Sequence, residues 1–313
     1  MDIKKYLTEN KTLFDKALED YFTKGCVCPP TLKEAMLYSL RAGGKRLRPV
    51  LAIASAEACG GLPSQVMPIA LALEMIHTFS LIHDDLPAMD DDDLRRGLPT
   101  SHKKFDEATA ILAGDALLAE AFACLASFGW RSEFGCPELS GKNVVSPTKV
   151  GHPKTHLDII HDIANATGAC GMVGGQILDI MAEDKMISLE ELKKIHSFKT
   201  GALITVSVTS GAKVAGATEK QLATLKKYGE CIGLAFQITD DILDVEGTTA
   251  ELGKPAKSDI ENKKATYPAI LGIEKSKKLA KELINSAYST LAEFNASADP
   301  LREIARYIIN RKN

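Results

Sequence analysis

Two groups of aspartates, far apart in the chain, are the residues best suited to carry out chemistry. The first comprises Asp84, Asp85 and Asp90 to Asp93, and the second comprises Asp240, Asp241 and Asp244. Two carboxylates about 4 Å apart repel each other by roughly 4 kcal/mol at the effective dielectric of a protein surface. Groups this dense therefore either stay spread in water or hold cations among them, and the presence of two such groups favours cations.

The second group falls on one face of a predicted helix. The residues spaced i, i+4, i+7, i+8 and i+11 along that face are Gly233, Gln237, Asp240, Asp241 and Asp244. The opposite face is apolar. A stripe of acids on a helix that is otherwise fit for burial costs free energy unless a metal or a ligand meets its charge.

The first group follows a predicted helix that Pro87 ends. His77 precedes Asp84 by seven residues, so the two lie about 20° apart around the helix axis. Beyond the proline the acids run into Arg95 and Arg96, and acids with paired arginines suit a diphosphate bound through metal and guanidinium groups. The alternatives are a solvated acidic turn or a calcium loop. A calcium loop alternates its ligands and has glycine at its sixth position, which neither group does.

Three glycine-containing segments add to these groups. The segment Gly43–Pro49 places Lys45, Arg46 and Arg48 between a glycine turn and a helix start, where free backbone N–H groups also favour an anion. Basic turns are often merely solvated, so this segment gains its weight from the aspartates. Lys199–Gly201 interrupts a helix, either as a structural kink or to turn carbonyls toward a cavity. Gly171–Gln176 indicates close packing of a helix or a ligand, because each glycine costs about 1 kcal/mol relative to alanine in a helix.

The elements that must position these residues are predicted to be all helical. The expected helices are 11–24, 31–42, 49–60, 64–85, 108–128, 157–182, 188–212, 218–246, 267–293 and 299–311. Capping boxes are predicted at Thr31 with Glu34, Ser188 with Glu191 and Thr218 with Gln221. The window 203–209 alternates like a strand, but its flanking signals favour helix. Residues 129–155 are predicted to form an exposed loop.

Composition bounds the kind of protein. The 313 residues are 45% hydrophobic and 25% charged with a net charge of −3, which favours one globular domain, 1–313, and gives no sign of nucleic-acid binding. The N-terminus lacks a signal peptide's apolar core, and we find no uninterrupted apolar run of about 18 residues for a membrane span. A cytoplasmic location is expected. Seven scattered cysteines are predicted to be free thiols, and His83 is predicted to be structural.

The motifs together resemble those of the trans-prenyl diphosphate synthases, especially the bacterial farnesyl diphosphate synthases. The matching segments are 43–49, 77–97, 171–179, 199–201, 236–244 and 252–254. The resemblance implies an all-α bundle in which the two aspartate helices face each other across a deep central cavity. It also implies a homodimer, and three Mg²⁺ ions that join the acids to the diphosphate of an allylic substrate.

The resemblance further implies a role for each matched residue. Asp84, Asp90 and Asp240 would bind metal, although Asp91 to Asp93 compete for the role of Asp90. Isopentenyl diphosphate would be bound by Lys45, Arg48, His77 and Arg96, and the allylic diphosphate by Arg95, Lys199 and Lys254. Lys199, Thr200 and Gln237 would form the catalytic group, with the oxygens of Thr200 and Gln237 facing the allylic cation.

The sequence leaves alternatives open for the length of the product and for the class of activity. In the family, Phe79 and Ser80 would form the cavity floor, and the aromatic residue favours a farnesyl product, although an ideal helix places Phe79 about 140° from Asp84. Geranylgeranyl diphosphate is the competing product. A class I terpene cyclase would not need the basic turn and would carry a different second metal motif. A non-catalytic partner subunit would be expected to have lost acids that this chain keeps.

Overall fold

The fold is all α, as the sequence predicts. The computed structural model describes residues 1–24, 26–130, 153–247 and 264–311, without the side chains of 128–130 and 153–154. The helices are α1 (Ile3–Lys24), α2 (Pro30–Arg41), α3 (Leu47–Ala58), α4 (Pro63–Asp84), α5 (Ser101–Lys104), α6 (Glu107–Trp130), α7 (Pro153–Thr167), α8 (Met172–Ala182), α9 (Leu189–His196), α10 (Ala202–Val214), α11 (Glu219–Glu246), α12 (Tyr267–Leu271), α13 (Ile273–Thr290) and α14 (Asp299–Asn310).

The core forms where five helices pack together. Helix α4 packs against α3 and α6, and α10 packs against α3 and α11. Two helices in the described part of the chain, α4 and the Glu107–Ser127 portion of α6, are long and apolar enough to cross a membrane by length and composition. The apolar window of α4 is 67% buried within the protein, which is what a central core helix requires. The predicted absence of a membrane span stays a prediction.

Three predicted helices are interrupted, and a further helix is longer than predicted. Helix α1 begins at Ile3 rather than at residue 11. The predicted helix 157–182 is broken into α7 and α8, and 267–293 is broken at Gly272, whose φ of 80° no helix contains. A π-helical turn, Ser197–Gly201, separates α9 from α10. The strand-like window 203–209 is helical, as predicted.

A short hairpin follows the first aspartate group and was not predicted. Strand β1 (Leu94–Arg95) pairs antiparallel with β2 (Leu98–Pro99). The two turn residues, Arg96 and Gly97, have φ values of 56° and 77°, as the tightest hairpin turn requires. Arginine is rare in that conformation, and the turn lacks the usual Asn-Gly or Asp-Gly pair. The sequence therefore gives no signal for this hairpin.

Two of the three predicted capping boxes are present, and the predicted loop is shorter than expected at both ends. Side-chain capping boxes are present at Ser188 and Thr218, whereas α2 begins at Pro30 without a capping side chain, so the box at Thr31 was wrong. The ends of the predicted loop 129–155 belong to α6 and α7, and 131–152 lie outside the described residues. A single domain stays a prediction.

Candidate active site

The basic turn between α2 and α3 is anchored by its middle arginine. Arg46 adopts a left-handed conformation with φ of 49° and is 3% exposed. It donates from Nη1 to Glu74 Oε1 at 2.8 Å and from Nε to Asp15 Oδ1 at 3.0 Å. Arg46 therefore has a structural role, and it fixes the backbone that carries Lys45 and Arg48.

The other basic side chains of this region gather in one buried place. Burial, together with Arg311 and Arg96, lowers the pKa of Lys45 to about 8 against the opposing effect of Asp240. Burial lowers the pKa of Arg48 to about 10, and its Nε has no hydrogen-bond partner among the described residues. Burial, with Arg48 and Arg96, holds the pKa of His77 well below its ordinary value. Besides burial, Arg96 lowers the pKa of all three side chains, so positive charge is concentrated where they meet.

The two neighbouring arginines of the hairpin serve different sites. Arg96 donates to the carbonyl of Gly43, which joins the hairpin to the basic turn. Arg95 points to the first acid group, where its Nε donates to both carboxylate oxygens of Asp85 at 2.7 and 2.9 Å, and its Nη2 to Asp92 at 3.4 Å. The hairpin therefore lies between the cationic site and the acids.

The first acid group has its charge met by lysines from elsewhere in the fold. Burial, together with Asp90, raises the pKa of Asp84 to about 6 against the lowering effect of Lys199. Asp90 accepts from Lys264 Nζ at 2.8 Å. Asp93, in contrast, is exposed and pairs with a surface lysine. Among Asp90 to Asp93, the acid that lies with Asp84 and the buried lysines is Asp90.

The π-helical turn carries Lys199 and Thr200 between two closely packed helices. A Cβ atom at Gly175 of α8 would collide with the backbone of Lys199, and one at Gly233 of α11 would lie 3.0 Å from the Cα of Gly201. Lys199 donates to Asp179 at 2.6 Å. Although burial opposes it, Asp179 and then Asp84 raise the pKa of Lys199. The glycine-rich segment Gly171–Gln176 is thus explained by close helix packing.

The turn is connected to the second acid group by side-chain hydrogen bonds. Thr200 Oγ1 donates to Gln237 Oε1 at 2.8 Å, and Gln237 Nε2 donates to Asp241 Oδ1 at 2.9 Å. The other oxygen of Asp241 accepts from the backbone N–H of Tyr267 at 3.0 Å. Lys264 of the same segment pairs with Asp90, so residues 264–267 connect the two acid groups.

Asp240 meets a cation that sequence reasoning missed. Arg311, just beyond α14, donates from Nη2 to Asp240 Oδ1 at 2.5 Å and stacks over the ring of Phe236, with 4.0 Å from Cζ to the ring centroid. The Arg311 side chain is 2% exposed. No local pattern identifies it, because the contact joins residues 71 positions apart.

The acids fit a hard divalent cation that shares its ligands with a substrate. The described residues contain no group of three His, Cys, Asp or Glu side chains able to hold a metal by itself. Mg²⁺ is usually bound by a few carboxylates together with waters and substrate phosphates, and Asp84, Asp90 and Asp240 supply such carboxylates. In this structure Lys264 pairs with Asp90 and Arg311 pairs with Asp240. Positive charge therefore already lies at two of the carboxylates that such a cation would use.

Two further predicted residues lie near the first acid group, and one cannot be placed. Phe79 is 8% exposed and meets the ring of His83 edge-on, at 4.8 Å between centroids. His83 lies with Nε2 3.1 Å from the carbonyl oxygen of Ile111 on α6, which agrees with its predicted structural role. Lys254 lies outside the described residues.

Comparisons with known proteins cover the whole chain. A family model described as polyprenyl synthetase matches residues 29–305. The chain is 48% identical over 282 residues to the farnesyl diphosphate synthase of Escherichia coli (strain K12), covering 89% of this chain and 88% of the relative. It is 45% identical over 314 residues to the chloroplastic geranylgeranyl pyrophosphate synthase of Catharanthus roseus, covering 100% of this chain and 82% of the relative. The solved structure of a geranyltransferase from Legionella pneumophila matches with a TM-score of 0.82 at 32% identity, covering 99% and 98% of the two chains.

Proposed function

The chain belongs to the polyprenyl synthetase family, and from that premise we propose that it joins isopentenyl diphosphate head to tail to dimethylallyl and geranyl diphosphates, giving farnesyl diphosphate. It is a prenyltransferase. In each cycle the bond from carbon to the allylic diphosphate breaks, a carbon–carbon bond forms to isopentenyl diphosphate, and one proton is lost. The observation that carries the proposal is the presence of two separate charge sites, one cationic and one acidic, on either side of the hairpin.

Each site suits one diphosphate. Lys45, Arg48, His77 and Arg96 bind that of isopentenyl diphosphate, because these side chains lie together in a buried place where an anion would relieve the repulsion of Arg96 with Lys45 and Arg48. Arg95 and Lys199, with Lys254, bind the allylic diphosphate. Asp84, Asp90 and Asp240 would hold Mg²⁺, which would supply positive charge for the leaving diphosphate. The oxygens of Thr200 and Gln237 face the allylic cation and lower its energy.

The test is the reaction with purified protein. The chain is incubated with dimethylallyl diphosphate, labelled isopentenyl diphosphate and MgCl₂, and the products are sized by chromatography after dephosphorylation. We expect mainly the fifteen-carbon product. Mainly twenty-carbon product would favour a geranylgeranyl synthase, a cyclised hydrocarbon would favour a terpene cyclase, and absence of elongation would favour a non-catalytic subunit.

Two matched substitutions test the acid assignment. Asp90→Asn should lower the rate by about 100-fold or more, because it removes a carboxylate proposed to hold metal. Asp93→Asn, which changes an exposed acid three residues away, should change the rate by less than about threefold. Equal losses in the two variants would contradict the assignment of Asp90.

The chain is further proposed to act as a homodimer in the cytoplasm. Support for the dimer comes from apolar side chains exposed on three successive helices, which are Ile111 and Leu112 on α6, Leu157 on α7, and Val173, Ile177 and Met181 on α8. Support for a reducing compartment comes from the described cysteines, all of which are free. The proposal also includes a single domain and three Mg²⁺ ions in each active site.

A further inference from the structure

Asp241 is a buried acid to which the proposed reaction assigns no role. Its side chain lies at the centre of a hydrogen-bond chain that begins at Thr200, passes through Gln237 and ends at the backbone N–H of Tyr267. The residue is 2% exposed. Its neighbour Asp240, in contrast, is turned toward Arg311.

The chain of bonds has a fixed direction. A carboxylate can only accept hydrogen bonds, so Asp241 forces Gln237 to present its amide nitrogen, and the amide oxygen must then face Thr200. Thr200 donates its hydroxyl proton to that oxygen. A hydroxyl whose hydrogen is already engaged in a hydrogen bond offers only its lone pairs to any other neighbour.

We propose that Asp241 is a positioning residue that sets the polarity of Thr200 and Gln237, so that both present oxygen rather than hydrogen to the allylic cation. The proposal rests on the proposed function and adds the reason that these two side chains have the correct orientation. Electrostatic stabilisation is effective when dipoles are oriented before the charge develops. Asp241 supplies that orientation without touching the substrate.

Asp241→Asn should reverse this polarity without changing side-chain size. The backbone N–H of Tyr267 still requires an acceptor, so the oxygen of the new amide faces Tyr267 and its nitrogen faces Gln237. Gln237 must then rotate its amide, which places Nε2 beside Thr200. The threonine becomes an acceptor, and its proton is free to point at the cation.

The experiment measures the single-turnover rate of condensation at saturating substrates and the substrate concentrations that give half the maximal rate. We expect Asp241→Asn to lower the rate by about 100-fold, the loss seen when one oriented polar group is removed from an active site. The half-saturating concentrations should change by less than about threefold, because neither diphosphate is bound by this chain of residues. A rate within about threefold of wild type would overturn the proposal.

A double substitution separates orientation from simple structural support. In Gln237→Glu/Asp241→Asn the carboxylate and the amide exchange places, so that residue 237 accepts from both residue 241 and Thr200. The hydroxyl of Thr200 then donates again. The double variant should recover at least about tenfold over Asp241→Asn, whereas a double variant that folds with an unchanged thermal midpoint and is no faster would overturn the proposal.

A further comparison keeps the test decisive if Asp241→Asn does not fold. Gln237→Glu alone places two carboxylates side by side, so the double variant should be faster than this single variant, and an equal or slower double variant would overturn the proposal. Wild-type protein is assayed in parallel. Its failure to elongate any substrate would refute the proposed function, whereas active wild type with unaffected variants would refute the role of Asp241 alone.

Discussion

Asp84, a proposed metal ligand, is partly buried at a cost in stability. Its folded-state pKa of about 6 lies above the ordinary value of 3.8, chiefly because of burial. The folded state therefore binds the proton more tightly than the unfolded state. The cost is fully present above pH 6 and disappears as the pH falls toward 4.

Asp84→Asn should accordingly stabilise the metal-free protein at high pH. A shift of about two pKa units corresponds to roughly 3 kcal/mol, so we expect the free energy of unfolding to rise by about 2 kcal/mol at pH 8 and by only about a third as much at pH 4.5. Urea denaturation in EDTA at both pH values measures this. An equal effect at the two pH values, or destabilisation at pH 8, would contradict the assigned pKa.

Phe79 tests product length at the scale of one side chain. It is nearly buried and lies edge-on to His83 beside α6. If its ring limits the growing chain, Phe79→Ala should shift the main product from fifteen to twenty or more carbons, as sized by chromatography. Phe294→Ala, which removes a ring packed near α14, should leave the product unchanged. An unaltered product from the first variant would remove Phe79 from the floor of the site.

At the scale of elements, the π-helical turn depends on how closely its neighbours approach. A methyl group at Gly175 would overlap the backbone of Lys199, whereas one at Gly201 would meet only ordinary contacts, the nearest atom being the carbonyl oxygen of His196 at 3.5 Å. The two glycines lie on facing segments of the same contact. They therefore form a matched pair for substitution.

Gly175→Ala should impair the enzyme and Gly201→Ala should not. We expect the first to lower the free energy of unfolding by about 1–3 kcal/mol, the usual cost of overpacking, and to slow condensation by displacing Lys199 and Thr200. The second should stay within about 1 kcal/mol of wild type, since alanine is the better helix former. Urea denaturation and the condensation assay together measure both effects. Equal tolerance of the two substitutions would show that α8 does not fix the turn.

The same elements show what the sequence could and could not predict. Apolar periodicity predicts the helices, but it cannot say that the chain breaks near Gly168 while a glycine such as Gly233 continues its helix, because the difference depends on what packs against each one. Spacing also puts Asp240 and Asp241 on one helical face. Asp241 meets Gln237 as a local i, i+4 pair on that helix. Only the fold brings Arg311 to Asp240, because that contact joins residues 71 positions apart.

At the scale of the whole molecule, the proposed dimer depends on the apolar surface of α6, α7 and α8. Leu112→Glu combined with Leu157→Glu should shift the protein to monomers in sedimentation equilibrium, because each leucine is more than half exposed and would place a charge in the interface. Leu62→Glu changes a leucine of similar exposure, 58%, before α4, and should leave the assembly unchanged. A double variant that sediments like wild type would place the interface elsewhere.

Residues 264–267 have a consequence for how the two acid groups meet a substrate. Lys264 is bound to Asp90 and Tyr267 to Asp241, and three residues of chain span at most about 11 Å. Through the Lys264 side chain and the Tyr267 backbone, this short stretch joins the turn that follows α4 to α11. The distance between the two acid groups is thus limited by these contacts when the protein folds. The binding of a diphosphate does not have to supply the free energy for bringing the two groups together.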